Sequence, residues 1–480
     1  MKWIILPLLM LVSACSNAPD DDAITMSVIG GPVRMVDPGS APLDTVAAIL
    51  ALSTAQGLVA FDASGRIEPA LAERWIVTDD GLSIIFRIRR TTWADGRPVT
   101  SADVAASLTR AMTVSRRTTR MFEGVDRIIG MTGQVIEMRL KSPQPSLLQT
   151  LAQPEMALFR VRISRGSGPY RIHSARDGVT RLRLSPSFVD GDEARANERD
   201  DIRIRGERAS LAAARFVAGD AALVTGGTVA DLPYARAAKV SSAEFRVDPA
   251  YGLFGLAFVA QNGPFANSNA RRALAMAIDR EALVRRFGVN SWRPIYAVLP
   301  AQMDGALAPA ALDWVQLSLS ERRARARSYL ASQTALPAVR LWLPEGPGTR
   351  LLFASLAADW ATIGVRVERV PIRAVADLRL IDEIAPHSSA LWYFDRLSCA
   401  RGLPCSPEAQ SALNAALSAT TLTERAQAIA QTDAAYAANQ GYIPLALPLR
   451  WSLVAPGLTG WQPSAFAIHP LARLRIPSGN

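Results

Sequence analysis

The chain has 480 residues, of which 49% are hydrophobic and 20% are charged, so it can bury sizeable cores and bulk disorder is excluded. At roughly 150 residues per domain, this length allows about three compact units. The formal charge is +10, almost all of it from arginine, but no basic run is interleaved with aromatic residues. We interpret the charge as a solvated basic surface and expect no nucleic-acid partner.

The N-terminus has the layout of a secretory signal. Lys2 precedes a short apolar run at residues 3–12, which is too short to span a membrane. Residues 12–15 (VSAC) resemble the lipobox of bacterial lipoproteins, which implies a signal peptide at 1–14, acylation of Cys15 and a lipidated tether at 15–22. The alternative is ordinary secretion with cleavage near Ala14. The resemblance predicts a periplasmic, lipid-anchored protein and leaves the choice between inner and outer membrane open.

The first half of the chain alternates between strand and helix patterns. Apolar residues at every second position of 82–89 predict a half-buried strand. Thr100, with an acidic residue three positions later, is positioned to cap a helix through about residue 112. Further strands are predicted at 25–30, 57–61, 135–140, 170–172, 182–184 and 221–224, and further helices at 47–56 and 211–217.

The second half continues the same alternation. Residues 251–259 predict a strand, and Asn267 or Ser268 should cap one helix that ends at Gly288. Strand, helix and strand patterns at 339–343, 351–363 and 365–370 predict a βαβ unit with two parallel strands. A last helix at 423–438 is followed by a strand at 443–447.

Motifs for catalysis are absent from the sequence. Its three histidines, His173, His387 and His469, are far apart and lie in no recognisable motif. Neither a nucleophile elbow, nor a zinc HExxH motif, nor a phosphate-binding loop occurs. We therefore expect no enzyme, no metal and no cofactor. An exported hydrolase remains an alternative that only the presence of a cleft would favour.

Two cysteines, Cys399 and Cys405, remain in the mature chain. Export places them in an oxidising compartment, where a pair of cysteines usually forms a disulfide. The alternative is a metal site, but two thiols without a nearby histidine are too few ligands for zinc. We therefore predict a disulfide between them.

A series of motifs in register resembles the family 5 extracellular solute-binding proteins, which are the dipeptide, oligopeptide and nickel receptors of ATP-binding-cassette importers. The motifs are ordered along nearly the whole mature chain. They lie at 57–62 (GLVAFD), 69–75 (PALAERW), 79–82 (DDGL), 86–89 (FRIR), 93–104 (WADGRPVTSADV), 168–172 (GPYRI), 271–280 (RRALAMAIDR) and 442–445 (YIPL).

The resemblance implies an α/β, two-lobed periplasmic-binding-protein fold of type II, with two hinge strands and a ligand cleft between the lobes. Lobe I would comprise residues 23–258 and 446–480, with an extra subdomain at about 48–165, and lobe II would comprise 259–445. Hinges are expected near 261–264 and 444–448. The implied partners are a membrane permease and its ATPase subunits, and we expect a monomer.

Residues 391–395 (LWYFD) resemble the W-x-x-D segment that lines the family's cleft. The resemblance implies that Asp395 pairs with a ligand ammonium and that Trp392 and Phe394 form apolar wall around a peptide-like solute. The alternative is a strand end with Trp392 in the core and Asp395 paired to an arginine. The family's usual D-Y-x-D-P continuation is absent, so an acidic ligand met by arginines stays open. A scaffold or sensor lipoprotein without transport is the alternative function.

Overall fold

A computed structural model describes residues 23–38, 41–62, 64–159, 166–185, 188, 201–260, 263–301, 303, 306–333, 338–404 and 406–476. The predicted signal peptide, Cys15 and tether lie outside the described residues, and so does Cys405. In the described part of the chain, no helix is both long and apolar enough to cross a membrane.

Strands and helices follow each other along the described chain in an α/β arrangement. The strands are β1 (Ile24–Ile29), β2 (Val59–Phe61), β3 (Ile67–Pro69), β4 (Ala72–Val77), β5 (Ser83–Ile88), β6 (Val125–Thr132), β7 (Val135–Leu140), β8 (Tyr170–Arg176), β9 (Val179–Leu184), β10 (Ile202–Glu207), β11 (Leu223–Gly227), β12 (Phe245–Asp248), β13 (Gly252–Phe258), β14 (Val339–Trp342), β15 (Val367–Val370), β16 (Leu378–Ile384), β17 (Tyr442–Ala446) and β18 (Arg450–Val454). The helices are α1 (Thr45–Thr54), α2 (Ser101–Val114), α3 (Arg116–Met121), α4 (Leu147–Leu151), α5 (Ala209–Val217), α6 (Leu232–Ala237), α7 (Ser268–Ala277), α8 (Arg280–Phe287), α9 (Leu319–Ala331), α10 (Pro347–Ala361), α11 (Ala390–Arg396), α12 (Pro407–Ser418) and α13 (Leu422–Asn439).

A seven-stranded sheet has the order β12-β18-β11-β1-β10-β9-β8. Its central strand β1 is paired in parallel with β10 on one side and β11 on the other. A strand enclosed in this way is typically apolar throughout. Ile24, Met26 and Val28 are accordingly buried, and they belong to the core of this sheet.

A second, four-stranded antiparallel sheet has the order β4-β5-β7-β6. The alternation predicted for β5 is observed, because Ile84, Phe86 and Ile88 are buried while the intervening residues are more exposed. Thr100 caps α2 as predicted, and its hydroxyl accepts a hydrogen bond from the Asp103 amide at 3.2 Å. This sheet and helices α2 and α4 share a core of their own, separate from that of the seven-stranded sheet.

A third sheet has five strands in the order β15-β14-β16-β13-β17. Strands β14 and β15 are adjacent and parallel, and α10 connects them, so the predicted βαβ unit is confirmed. The fully buried strand β13 pairs antiparallel with β16 and β17. The largest core among the described residues packs against this sheet and also includes residues of the seven-stranded sheet, such as Val224 and Leu453.

The single helix predicted up to Gly288 is two helices in the structure. Helix α7 ends before Ile278, whose backbone is extended, and α8 starts after Asp279. The Asp279 carboxylate accepts a hydrogen bond from the Ala282 amide at 2.9 Å, as an N-terminal cap does. The apolar spacing continued across the break, which is why the sequence pattern did not reveal it. Gly288 ends α8 in the left-handed conformation, as predicted.

The chain passes between the seven-stranded and five-stranded sheets at two short connections. One lies at 249–251, between β12 and β13, and the other at 447–449, between β17 and β18. The first connection lies before the boundary expected near residue 258 and before the hinge expected at 261–264. The apolar run of β13 belongs wholly to the five-stranded sheet, and the polar break that suggested a hinge follows that strand.

Candidate functional site

A large cavity of about 1810 Å³ lies where the three sheets approach each other. Its wall includes residues from α1 and the seven-stranded sheet, from the segments around the four-stranded sheet, and from the segment that follows β16. Sites for single small molecules usually enclose about 300–1,000 Å³. The cavity therefore has room for a solute of several residues together with water.

Two of the three predicted ligand-binding residues line this cavity. Asp395 and Trp392 belong to its wall, whereas Phe394 does not. The Phe394 ring is fully buried and packs on Tyr436, with 5.2 Å between ring centroids. The predicted apolar wall at Phe394 is therefore core instead. The physical reason is that residues 390–396 form helix α11 rather than a strand end, so these side chains point in different directions.

The Asp395 carboxylate is half-exposed and forms an ion pair with the Arg401 guanidinium. Its partial burial raises its pKa above the usual value, while the nearby Arg120 guanidinium acts in the opposite direction. The pairing of Asp395 with an arginine, which the alternative included, is thus observed, whereas the strand end and the core position of Trp392 are not. The same carboxylate nevertheless faces the cavity.

Two further carboxylates reach the cavity from the end of β16, and sequence reasoning missed both. Asp382 accepts a hydrogen bond from Arg450 at 2.7 Å, and Glu383 accepts two from Arg396 at 2.5 and 2.7 Å. The alternating pattern of residues 378–381 could have indicated this strand. Their arginine partners lie 68 and 13 positions away, so no local motif marks the pairs.

Hydrogen bonds connect the segment after β16 to α4 on the opposite side of the cavity. The Gln149 side-chain oxygen accepts from the Ser388 amide at 2.9 Å and from the Ser388 hydroxyl at 3.1 Å. The Gln153 amide donates to the Pro386 carbonyl. Nearby, Arg425 on α13 donates to the Pro143 carbonyl at 3.2 Å. These contacts bridge the two sides of the cavity.

His387 lies within this bridge and lines the cavity. Its Nδ1 accepts a hydrogen bond from the Ser389 amide at 3.3 Å. Burial lowers the pKa of the imidazole to about 4, so the ring is neutral at pH 7.

The remaining histidine of the cavity wall, His469, pairs with Asp248 at 3.2 Å. Its other nitrogen, Nδ1, is buried and has no hydrogen-bond partner among the described residues. Over the same residues, no group of three or more His, Cys, Asp or Glu side chains is arranged to hold a metal ion.

Comparison with known proteins gives relatives of moderate similarity. The glutathione-binding protein GsiB of Salmonella choleraesuis is 26% identical over 320 residues, which cover 62% of this chain. The matched part spans 60% of the length of that relative. This relative and the dipeptide-binding protein DppE of Bacillus subtilis, which is 22% identical over 286 residues, are both named as binding proteins.

Solved structures match over nearly the whole chain. Haemophilus influenzae OppA, in complex with the peptide RPPGFSPFR, has a TM-score of 0.77 and 17% identity, covering 95% of this chain and 99% of that one. AgaA of A. tumefaciens R10, in complex with agropinic acid, has a TM-score of 0.74 and 18% identity, covering 95% and 99%. The predicted two-lobed periplasmic-binding-protein fold is therefore confirmed.

One family profile matches residues 66–385, which is two-thirds of the chain. Its description is bacterial extracellular solute-binding proteins, family 5 Middle. The matched region contains most of the motifs that suggested this resemblance, as well as β16 with its two cavity carboxylates. The chain belongs to the family 5 bacterial extracellular solute-binding proteins.

Proposed function

We propose that this protein is the solute-binding component of an ATP-binding-cassette importer, which captures a small solute between its lobes and delivers it to a membrane permease. The cavity carries this proposal. It lies between two lobes, and within the described residues the chain passes between their sheets at 249–251 and 447–449. It is large enough to enclose a peptide-sized solute. Closure around a ligand by hinge motion needs only such connections.

Binding without chemistry fits the charged groups of the cavity. On the second lobe's side, the carboxylates of Asp382, Glu383 and Asp395 are paired with arginines, and burial holds His387 neutral. Neither arrangement supplies a general base with a nucleophile beside it. The relatives bind solutes, and the energy for transport would come from the separate ATPase subunits of the importer. The protein would act as a monomer.

Within the cavity, we propose that Trp392 and the Asp395–Arg401 pair contact the solute. The Trp392 ring is partly exposed and lies edge-to-face on Tyr393 at 5.0 Å between centroids. This packing orients an aromatic surface next to a charged pair, which suits a solute with both apolar and polar groups.

Thermal unfolding against a solute panel tests the binding function. A solute present at 100 times its dissociation constant should stabilise the folded protein by about 2.7 kcal/mol, which raises the melting temperature by several degrees. The panel should contain dipeptides, oligopeptides, glutathione and organic acids. If a stabilising solute is found but deletion of the gene leaves its uptake by cells unchanged, the alternative role as a sensor or scaffold would replace transport.

We also propose that Cys15 is the lipidated N-terminus of the mature protein. The proposal is supported by the lipobox-like residues 12–15 and by the extracellular location of the family. Cells grown with an alkyne-bearing palmitate should label the wild-type protein and leave Cys15→Ser unlabelled. Labelling of Cys15→Ser at the wild-type level would contradict this site. If the wild-type protein is labelled at Cys15, membrane fractionation shows whether it lies in the inner or the outer membrane.

A disulfide between Cys399 and Cys405 is the last part of the proposal. Cys399 is disulfide-bonded, and it begins the short turn that carries Arg401. Closing so short a loop should stabilise the folded state by about 2 kcal/mol. Non-reducing peptide mapping should recover the two cysteines in one linked peptide, and Cys405→Ser should lower the melting temperature. Recovery of Cys399 linked to another chain would contradict the pairing.

A further inference from the structure

Every carboxylate that the second lobe presents to the cavity, within the described residues, already has an arginine partner. Asp382 pairs with Arg450, Glu383 with Arg396 and Asp395 with Arg401. All three arginines belong to the cavity wall themselves. On the second lobe's side of the cavity, a solute therefore meets carboxylates whose charge is compensated by the protein.

The Arg401 guanidinium is held against Asp395 by local structure. The Asp395 carbonyl accepts from the Ser398 amide at 3.1 Å, and the Ser398 carbonyl accepts from the Arg401 amide at 3.0 Å. Gly402 then ends this turn in the left-handed conformation, with φ of 75°. With Cys399 fixed by its disulfide, these bonds turn the chain back so that Arg401 reaches the end of α11.

This arrangement acts against a solute that carries a free ammonium group. An ammonium needs a carboxylate to compensate its charge in a partly buried site. At Asp395 it would have to displace a guanidinium that is already held in place, and the displaced cation would then need another partner. The exchange offers no gain in hydrogen bonds, because it replaces one charge-assisted hydrogen bond, from the Arg401 guanidinium, by another from the ammonium.

An anionic solute meets the opposite situation. Arg401 and Arg396 each have donors beyond those that the paired carboxylate can accept. Arg425, also in the wall, donates only to the carbonyls of Pro143 and Ala419 among the described residues. Burial lowers the pKa of its guanidinium, although the group stays charged at pH 7. A carboxylate of the solute would compensate these cations.

Given the proposed solute-binding function, we infer that Arg401 is a specificity-determining residue, which compensates the cavity-facing carboxylate of Asp395 and selects a carboxylate-bearing solute without a free ammonium group. N-blocked peptides and amine-free organic acids belong to this class. Peptides with a free N-terminus are excluded at this position because Arg401 takes the place of their cation.

Matched pairs of ligands test this inference by calorimetry. Each pair is a dipeptide and its N-acetylated form, and short dicarboxylic acids complete the panel. The wild-type protein should bind the acetylated member at least about tenfold more tightly, which corresponds to about 1.4 kcal/mol. Arg401→Ala should reverse the preference by exposing Asp395, and the double variant Arg401→Ala/Asp395→Ala should bind both members equally.

Arg272→Ala is the matched control, since Arg272 forms a surface pair with Asp313 at 2.5 Å and is absent from the cavity wall. It should keep the wild-type preference, and circular dichroism should show that every variant is folded. A wild-type preference for free dipeptides, or an unchanged preference in Arg401→Ala, would overturn the inference and leave solute binding intact. If no panel member binds any folded variant, both the proposed function and the inference fail.

Discussion

Replacing Gly252 by alanine is expected to destabilise the protein by about 3 kcal/mol. Gly252 opens β13 directly after the first connection between the lobes, and its φ is 144°, a value that residues with a side chain rarely adopt. A Cβ atom there would lie 2.0 Å from the Glu383 carbonyl oxygen, so β13 and β16 would have to separate. Overpacking costs typically 1–3 kcal/mol, and the backbone strain adds roughly 1–2 kcal/mol.

Gly178→Ala is the matched control for Gly252→Ala. Gly178 also has a positive φ, of 72°, but no atom lies within 4 Å of the position of its Cβ. This control should cost only about 1 kcal/mol, from the backbone alone. Urea unfolding of both variants measures the difference. Equal losses in the two variants would show that β13 can shift away from Glu383 without cost.

The effect of Gly252→Ala should extend to the cavity, because Glu383 forms part of its wall. Moving the Glu383 backbone displaces the carboxylate that pairs with Arg396. A solute found in the thermal-shift panel should therefore bind Gly252→Ala more weakly than Gly178→Ala, at a temperature at which both variants are folded. Equal affinities of the two variants would show that the contact between Gly252 and the Glu383 backbone does not affect solute binding.

Local patterns in the sequence were sufficient to predict much of the fold. Strand β7 has its predicted bounds, residues 135–140, and β5 shows the predicted alternation because one face is buried and the other is not. Thr100 was recognised because a helix cap depends on residues three positions apart. Such features depend on near neighbours, and near neighbours are visible in a sequence.

The point at which the chain crosses from one sheet to the other depends on strand pairing, which local patterns do not contain. Strand β13 is continuously apolar because it lies between β16 and β17. A buried strand of this kind looks the same whichever sheet it joins. The polar break at 261–264 was a clearer signal, but it follows the strand. The crossing at 249–251 has no comparable signal.

The prediction of the site was partly successful. The resemblance indicated which segment lines the cavity, but it did not indicate that this segment is a helix. In a helix, residues three positions apart share a face, so Trp392 and Asp395 both reach the cavity. Phe394 lies between them in sequence and points into the core instead. The Arg450–Asp382 pair and the Gln149–Ser388 contact join residues 68 and 239 positions apart, which no local pattern could reveal.

The bridge across the cavity should weaken in acid because of His387. Burial lowers the pKa of its imidazole from 6.5 to about 4. Between these values the unfolded chain binds a proton that the folded chain does not, so stability rises with pH across this interval. The contribution is fully present above about pH 6.5 and is lost as the pH falls through about 4. After allowance for its partial exposure, we expect a loss of about 2 kcal/mol.

His387→Gln isolates this contribution, because glutamine cannot be protonated in this range and keeps a hydrogen-bond acceptor for the Ser389 amide. Urea unfolding of both proteins at pH 7.5, 5.5 and 4.0 should show the wild type losing about 2 kcal/mol more than the variant. The arginine-paired carboxylates are the same in both proteins, so their contribution to the pH dependence cancels in the difference. His173→Gln is the control, since His173 lies exposed on β8 and should not change the pH dependence. If the free energy of unfolding changes with pH equally in the wild type and in His387→Gln, the protonated imidazole is hydrated. The hydrogen bonds across the cavity near His387 then open locally at little cost in free energy.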